Sequence, residues 1–486
     1  MKTTTVSRHA ISGVLAIGLV SALALSGCSD SGGNVQSASK ELGAADLKSL
    51  EYSGSGHWYQ YGQAPNPNEP WPTYDVSAFS AQINFETPAA TVRMTRLQQV
   101  DPKRARVAPV EQKVDQNVSG NFAWNMAAAA QPQPGAVAER TLEIWTTPQG
   151  FLKGAVANNA TSKPVEKTSE VSFMVGKSRL VGIINAKNEV TKVQTWIDDP
   201  VLGDTPVEIT YSDYKDFGGI KFPSKIARTQ GGHPFLDVNV TAVKKNPEVA
   251  IAVPDNVSTF TPPPVVVDAR PLSDGVYYLG GGTHHSVAIN MADGVVVVEG
   301  PQNEARGLAV IAKVKELFPG KAITKVINTH VHFDHSGGLR PFVDEGATVV
   351  THEINKPYYE KAWAAPRTIN PDKLALSKKT VTFETFTDKH TITDGTRTIE
   401  IYPIVGSGHA DGFVMIYLPV EKILIEVDAY TPPAEGVALP TTPPPPAVNL
   451  YENIQNQKLD VQQLVSLHGK LPTMSDLRTY IGVPNP

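Results

Sequence analysis

A chain of 486 residues with 41% hydrophobic and 19% charged residues is long enough for two hydrophobic cores and too apolar to be a disordered polymer. Its formal net charge of −5 supplies no excess of basic residues for a nucleic-acid partner. A single cysteine, Cys28, excludes an intramolecular disulfide.

The chain opens with Lys2 and Arg8, then the apolar run "AISGVLAIGLVSALAL", then "LSGC" ending at Cys28. The run is too short and too early for a spanning helix and reads as an export signal. The small residues before Cys28 resemble a bacterial lipobox, which implies a lipidated cysteine, a membrane anchor and residence in the cell envelope. Once Cys28 is lipidated, no thiolate remains to bind a metal. The small, polar run "SDSGGNVQSASK" that follows suits a flexible tether.

From about residue 41 to 259, apolar and polar residues alternate in "AQINFE", "TLEIWTT", "SEVSFMV", "TKVQTWI", "VEITYSDY" and "LDVNVTAV". Period-two patterning bounded by turn residues predicts a mainly antiparallel sheet with one wet face. The rhythm from Val193 to Ile226 loosely resembles lipoprotein-carrier domains, which hold acyl chains; a scaffold holding a catalytic domain off the membrane is the alternative. Three prolines in "FTPPPVVVDARP" then mark a linker.

Beyond the linker, "GVVVVEGP" reads as a strand buried on both faces. "NEARGLAVIAKVKELFPG" follows as a helix carrying Leu308, Ile311, Val314 and Leu317, and "ITKVINT" as a second buried strand. Such a strand, helix, strand unit predicts an α/β sheet, whose sites lie past the carboxyl ends of its strands. There stands "NTHVHFDHSGG", with His330, His332, Asp334 and His335 inside six residues. Imidazole and carboxylate together suit zinc or another first-row divalent ion. Four such ligands cannot fill two coordination shells, so further ligands are required, and His409, Asp428 and His468 each follow an apolar, strand-like run.

The order H-x-H-x-D-H, then His, Asp and His, resembles the metallo-β-lactamase superfamily over roughly residues 268–486. That resemblance implies an α/β fold of αββα type and two metal ions. His330, His332 and His409 would hold the first; Asp334, His335 and His468 would hold the second, with Asp428 bridging. Zinc is the expected metal, iron or manganese the alternatives. Glu299 stands where the family usually has an aspartate that supports the ligands, which bears on loop geometry. The classical zinc β-lactamases with a cysteine ligand are disfavoured because Asp428 occupies that position, and di-iron oxygen reductases because His332 is present.

The expected division is an export signal over 1–27, a tether over 28–40, a β-rich domain over 41–259, a linker over 260–267 and a catalytic domain over 268–486. The expected activity is hydrolysis of an ester, lactone, thioester or amide-like bond in a small-molecule substrate by a metal-bridging hydroxide. An iron-dependent sulfur dioxygenase of the same fold is the runner-up, and a lipid-binding module with a structural metal site the third reading. Asp334 and Asp428 are candidate proton acceptors. Tyr430, two residues past Asp428, is a candidate oxyanion donor, or else a packed aromatic at the sheet end. Either His284 or His285 could line the pocket, although a surface or hydrogen-bonding role is the expectation. His352 is a spare ligand only if one of the seven fails. The proline-rich run Thr431 to Asn449 is expected to wall the pocket or to pack on the β-rich domain.

Overall fold

The computed structural model describes residues 33–485; the expected export signal and Cys28 lie outside the described residues. Residues 49–245 form one thirteen-stranded antiparallel sheet made of two meanders. They join where the first strand, Ser49–Tyr59, pairs with the last, His233–Lys245. Bulges at Ser53/Gly54 and Gly54/Gly56 interrupt the register of that first strand, where the backbones approach too closely for a side chain.

One face of this sheet carries Phe79, Ile209, Tyr211, Phe222 and Ile226 and is covered by helices Val137–Thr146 and Pro148–Ala157. The segment "TLEIWTT", expected as a strand, belongs to the first of these helices. Its alternation matched a strand by coincidence. The helical period instead aligns Glu139 with Glu143, and both carboxylates reach the buried Arg228 guanidinium at 2.8 and 2.7 Å. Pro148 ends that helix and opens the next, where the Thr147 hydroxyl caps Gly150.

The tether expected over 28–40 is corrected at its C-terminal end. Val35–Glu41 is a helix capped by Asn34, with Val35, Ala38 and Leu42 buried in the core of the sheet domain. Its small residues permit close packing, and Gln149 anchors it through the Leu42 carbonyl. The Phe260 to Val267 segment carries no regular element, as its prolines require.

The C-terminal half is an αββα sandwich. A seven-stranded sheet spans Asp268–Phe386 and a five-stranded sheet spans His390–Ser466. Their facing sides form one core that includes Ile289, Val298, Ile327, Ile416, Ile425 and Val465. Strand Gly294–Val298 is buried throughout and runs parallel to Ile323–Ile327. Helix Glu304–Leu317 crosses between them, burying Gly307, Val310, Ile311 and Val314, so its inner face is turned slightly from the Leu308–Leu317 stripe. The run Thr431 to Asn449 is divided: residues 431–444 are irregular and mostly exposed, and Pro445–Asn456 is a helix that opens on its prolines.

Candidate metal centre

All seven predicted ligands stand at one edge of the sandwich. His330 and His332 follow strand Ile323–Ile327, and Asp334 and His335 lie in the single helical turn Phe333–Ser336. His409 is in the loop between Thr398–Pro403 and Val414–Leu418; Asp428 and His468 follow strands Ile423–Glu426 and Gln463–Ser466. Their donor atoms gather in two groups. One is His330, His332, His409 and Asp428; the other holds Asp334, His335 and His468 and adds His284.

Asp428 touches both groups. Its Oδ2 lies 3.2 Å from His330 Nε2, 3.0 Å from His409 Nε2 and 3.2 Å from His335 Nε2, and its Oδ1 lies 2.7 Å from His468 Nε2. Between rings, His330 Nε2 faces His409 Nε2 and His335 Nε2 faces His468 Nε2, each at 3.2 Å. Lone pairs set face to face repel unless a proton or cation lies between them, and this spacing suits ligands on metal–nitrogen bonds of about 2.0–2.1 Å.

The outward nitrogens have acceptors of their own. His335 donates Nδ1–H to Glu299 Oε2 at 3.0 Å, His468 donates Nδ1–H to the Thr283 carbonyl at 3.0 Å, and His332 donates Nε2–H to the Ala64 carbonyl at 3.1 Å. These bonds fix the tautomers and leave the inward nitrogen free to ligate. His332 Nδ1 is buried with no hydrogen-bond partner, an orphan that a cation would satisfy. The residues present therefore fit two metal ions.

Three carboxylates among these rings make the site demand positive charge. Burial alone would depress His335, yet Asp428 and Glu299 hold it well above its ordinary value. Burial lowers His330 to about 4, and burial together with the adjacent His330 and His409 rings holds His332 well below its ordinary value. Burial would raise Asp428, but the His335 and His409 imidazoles hold it well below the carboxylate range. Asp334 is also held low: burial is opposed by its hydrogen bond with His284 and the charge of His335.

Glu299 is fully buried in the left-handed region at φ +69°, and its Oε1 accepts the Thr329 N–H at 2.7 Å. From this strained backbone its other carboxylate oxygen reaches His335. Tyr430 is corrected from its catalytic role. It is buried in the core with its ring 5.0 Å from Tyr480, and its hydroxyl makes no hydrogen bond among the described residues. His352 accepts the Ile354 N–H and caps a turn, and His285 is buried against Tyr278, so neither is a ligand.

The sequence reading missed the contribution of the β-rich domain. Residues 60–72 connect its first two strands and meet the ligand loops. Gln63 donates Nε2–H to Asp334 Oδ1 at 2.8 Å, Gly62 accepts the Phe333 N–H, and Pro65 accepts the Asp411 N–H. From a second loop, Arg106 donates to the carbonyls of Gly408 and His409 at 2.8 and 3.0 Å, and Arg104 pairs with Asp411. Two glycines allow the approach: a Cβ on Gly62 would lie 2.5 Å from the Phe333 ring, and one on Gly408 2.0 Å from the Ala105 carbonyl. Only the pairing of "VGSGHADG" glycines with a histidine hinted at a close backbone contact.

Residues 279–429 match the family model of the metallo-β-lactamase superfamily, a segment that holds every proposed ligand except His468. The chain is 24% identical over 174 residues to the 2,4-dinitroanisole O-demethylase subunit alpha of Nocardioides sp. (strain JS1661). This stretch is 35% of the chain and 48% of the relative, so the chain spans about half the length of the curated relative it matches. Among solved structures it is similar to a metallo-β-lactamase from Pontibacter korlensis (17% identity, 45% of this chain and 98% of that one, TM-score 0.33). It is also similar to the rubredoxin oxygen:oxidoreductase of Desulfovibrio gigas (12% identity, 44% and 59%, TM-score 0.36). Within its C-terminal half, residues 279–429 are thus similar to the metallo-β-lactamase superfamily.

Proposed function

We propose that the protein is an exported, lipid-anchored dinuclear metallo-hydrolase acting on a small ester, lactone, thioester or amide-like substrate. The observation that carries this reading is Asp428, one carboxylate within 3.2 Å of histidines from both donor groups. Bound divalent ions would supply a hydroxide near neutral pH and polarise the scissile bond. His330, His332, His409 and Asp428 would hold one ion, and Asp334, His335, His468 and Asp428 the other. Asp334, whose Oδ1 is engaged by Gln63, keeps Oδ2 directed into the site and is the group placed to accept a proton from the nucleophile. Beside the ligand loops, the Ala105–Arg106 backbone packs against Gly408, and Thr431–Pro432 lie beside Gly469.

Elemental analysis of the protein lacking residues 1–28, beside Asp428→Ala, tests the proposal together with turnover of chromogenic esters, thioesters, lactones, β-lactams and 2,4-dinitroanisole. Two zinc ions per chain, falling with turnover in the variant, are the expected result. One iron per chain with consumption of oxygen would replace the hydrolase by the dioxygenase. Lipid labelling that persists in Cys28→Ala would remove the anchor from the proposal.

A further inference from the structure

We propose that His284 is a ligand of the second metal position, which is then held by His284, Asp334, His335 and His468 with Asp428 shared. The inference rests on the two-metal reading above and gives the two positions different coordination. His284 Nε2 lies 3.2 Å from Asp334 Oδ2, and its donor atom is within 4.8 Å of those of Asp334, His335 and His468. Its ring centroid is 4.2 Å from that of His468 and 5.2 Å from that of His335.

The backbone makes this placement durable. His284 forms a β-bridge with His468, and the His285 N–H donates to the Leu467 carbonyl at 3.0 Å. Beneath the loop, the buried Arg306 guanidinium donates to the carbonyls of Leu279, Gly280 and His284, each at 3.2 Å. Thr283 serves both rings: its carbonyl accepts His468 Nδ1–H, and its hydroxyl lies 2.8 Å from His284 Nδ1. With Nδ1–H donating to that hydroxyl, His284 repeats the pattern of His335 and His468, an outward nitrogen bonded to oxygen and an inward lone pair.

The two donor sets then differ chemically. The first position has three imidazoles and one carboxylate, a set that suits four-coordinate zinc. The second has three imidazoles and two carboxylates, and five protein donors with solvent suit a six-coordinate ion such as manganese or iron. The rival arrangement has Gln302 Nε2 donating to His284 Nδ1, at 3.3 Å, so that Nε2–H donates to Asp334 and His284 touches no metal.

The test is cobalt(II) titration of the protein lacking residues 1–28 and of its His284→Ala and His284→Gln variants, following visible absorption and second-ion affinity by chelator competition. Glutamine preserves a donor to Asp334 but is a poor ligand. The expected result is two cobalt ions in each protein, with the second bound at least about tenfold more weakly in both variants, the scale on which even outer partners of metal ligands act. Its absorption should also strengthen as the coordination number falls. An unchanged second-ion spectrum and affinity in His284→Ala, or full restoration by glutamine, would overturn the ligand assignment while leaving the two-metal site intact. Fewer than two cobalt ions in the unaltered protein would overturn both.

Discussion

Glu299 shows how much one carboxylate governs. Its Oε2 takes the His335 Nδ1 proton and its Oε1 takes the Thr329 N–H, so it fixes a ligand ring and the start of the ligand loop together. Glu299→Gln presents an amide that can offer a donor to His335 in place of an acceptor. Metal affinity is expected to fall about 10- to 100-fold, with the fold retained, as read by chelator competition and circular dichroism. Equal affinity in the variant would mean that the ring is oriented by packing alone. The seven candidate ligands stand out in the sequence because a metal shell needs particular residue types, and four of them lie within six residues. Tyr430 was misread because nearness in sequence to Asp428 does not tell which way a side chain turns past a strand end; here it turns into the core against Tyr480. His284 was legible only as a histidine near the site, since its partner His468 is 184 residues away in the chain.

At the scale of elements, the connection 60–72 and the Arg104–Arg106 loop act as a brace for the ligand loops. Arg106 donates to the carbonyls on either side of the His409 N–H, which limits the excursions of that ligand. Arg106→Ala removes two charge-assisted hydrogen bonds from a half-buried place, and a loss of about 1.5–3 kcal/mol in stability is expected. Thermal unfolding measures that loss. Turnover should fall through kcat more than KM, because the variant alters ligand placement and leaves the pocket walls in position; an unchanged kcat would deny the brace any part in the chemistry. None of this was readable from local pattern, because hydrogen bonds between segments some 300 residues apart leave no periodic trace. The strands were largely readable, and "TLEIWTT" failed because two carboxylates one helical turn apart found a buried arginine on the sheet.

Across the whole molecule, the two domains are joined by polar contacts remote from the metals as well. Arg367 donates to the carbonyls of Asp199, Pro200 and Val201, and Asp204 accepts from the Thr368 hydroxyl and from the N–H groups of Thr368 and Ile369. Burial alone would raise the Asp204 carboxyl, but these donors outweigh it and hold it below its ordinary value. A depressed folded-state pKa stabilises fully above the unfolded carboxyl value of about 3.9 and is lost as pH falls through the folded value. Asp204→Asn should therefore cost about 1–2 kcal/mol at pH 7 and flatten the acid limb of the stability profile. Urea unfolding at several pH values checks this, and superimposable profiles would mean that the contact contributes nothing. The switch from alternating to continuous apolar runs falls where the thirteen-stranded sheet gives way to the two smaller sheets. The interface was not legible in the sequence, because the interacting faces are polar and irregular.

The closure of the thirteen-stranded sheet sets an order of events during synthesis. Strand Ser49–Tyr59 pairs with Thr73–Asn84 across the brace at 60–72 and, on its other edge, with the distant strand His233–Lys245. Domains fold as units, N-terminal first, as the chain emerges from the ribosome. On that order the brace would form ahead of "NTHVHFDHSGG", and the ligand loops would fold against a finished template. A circular permutant that placed residues 260–485 ahead of 33–259 would keep the contacts between the two halves and reverse that schedule, presenting the four candidate ligands of the loop before their template had been made.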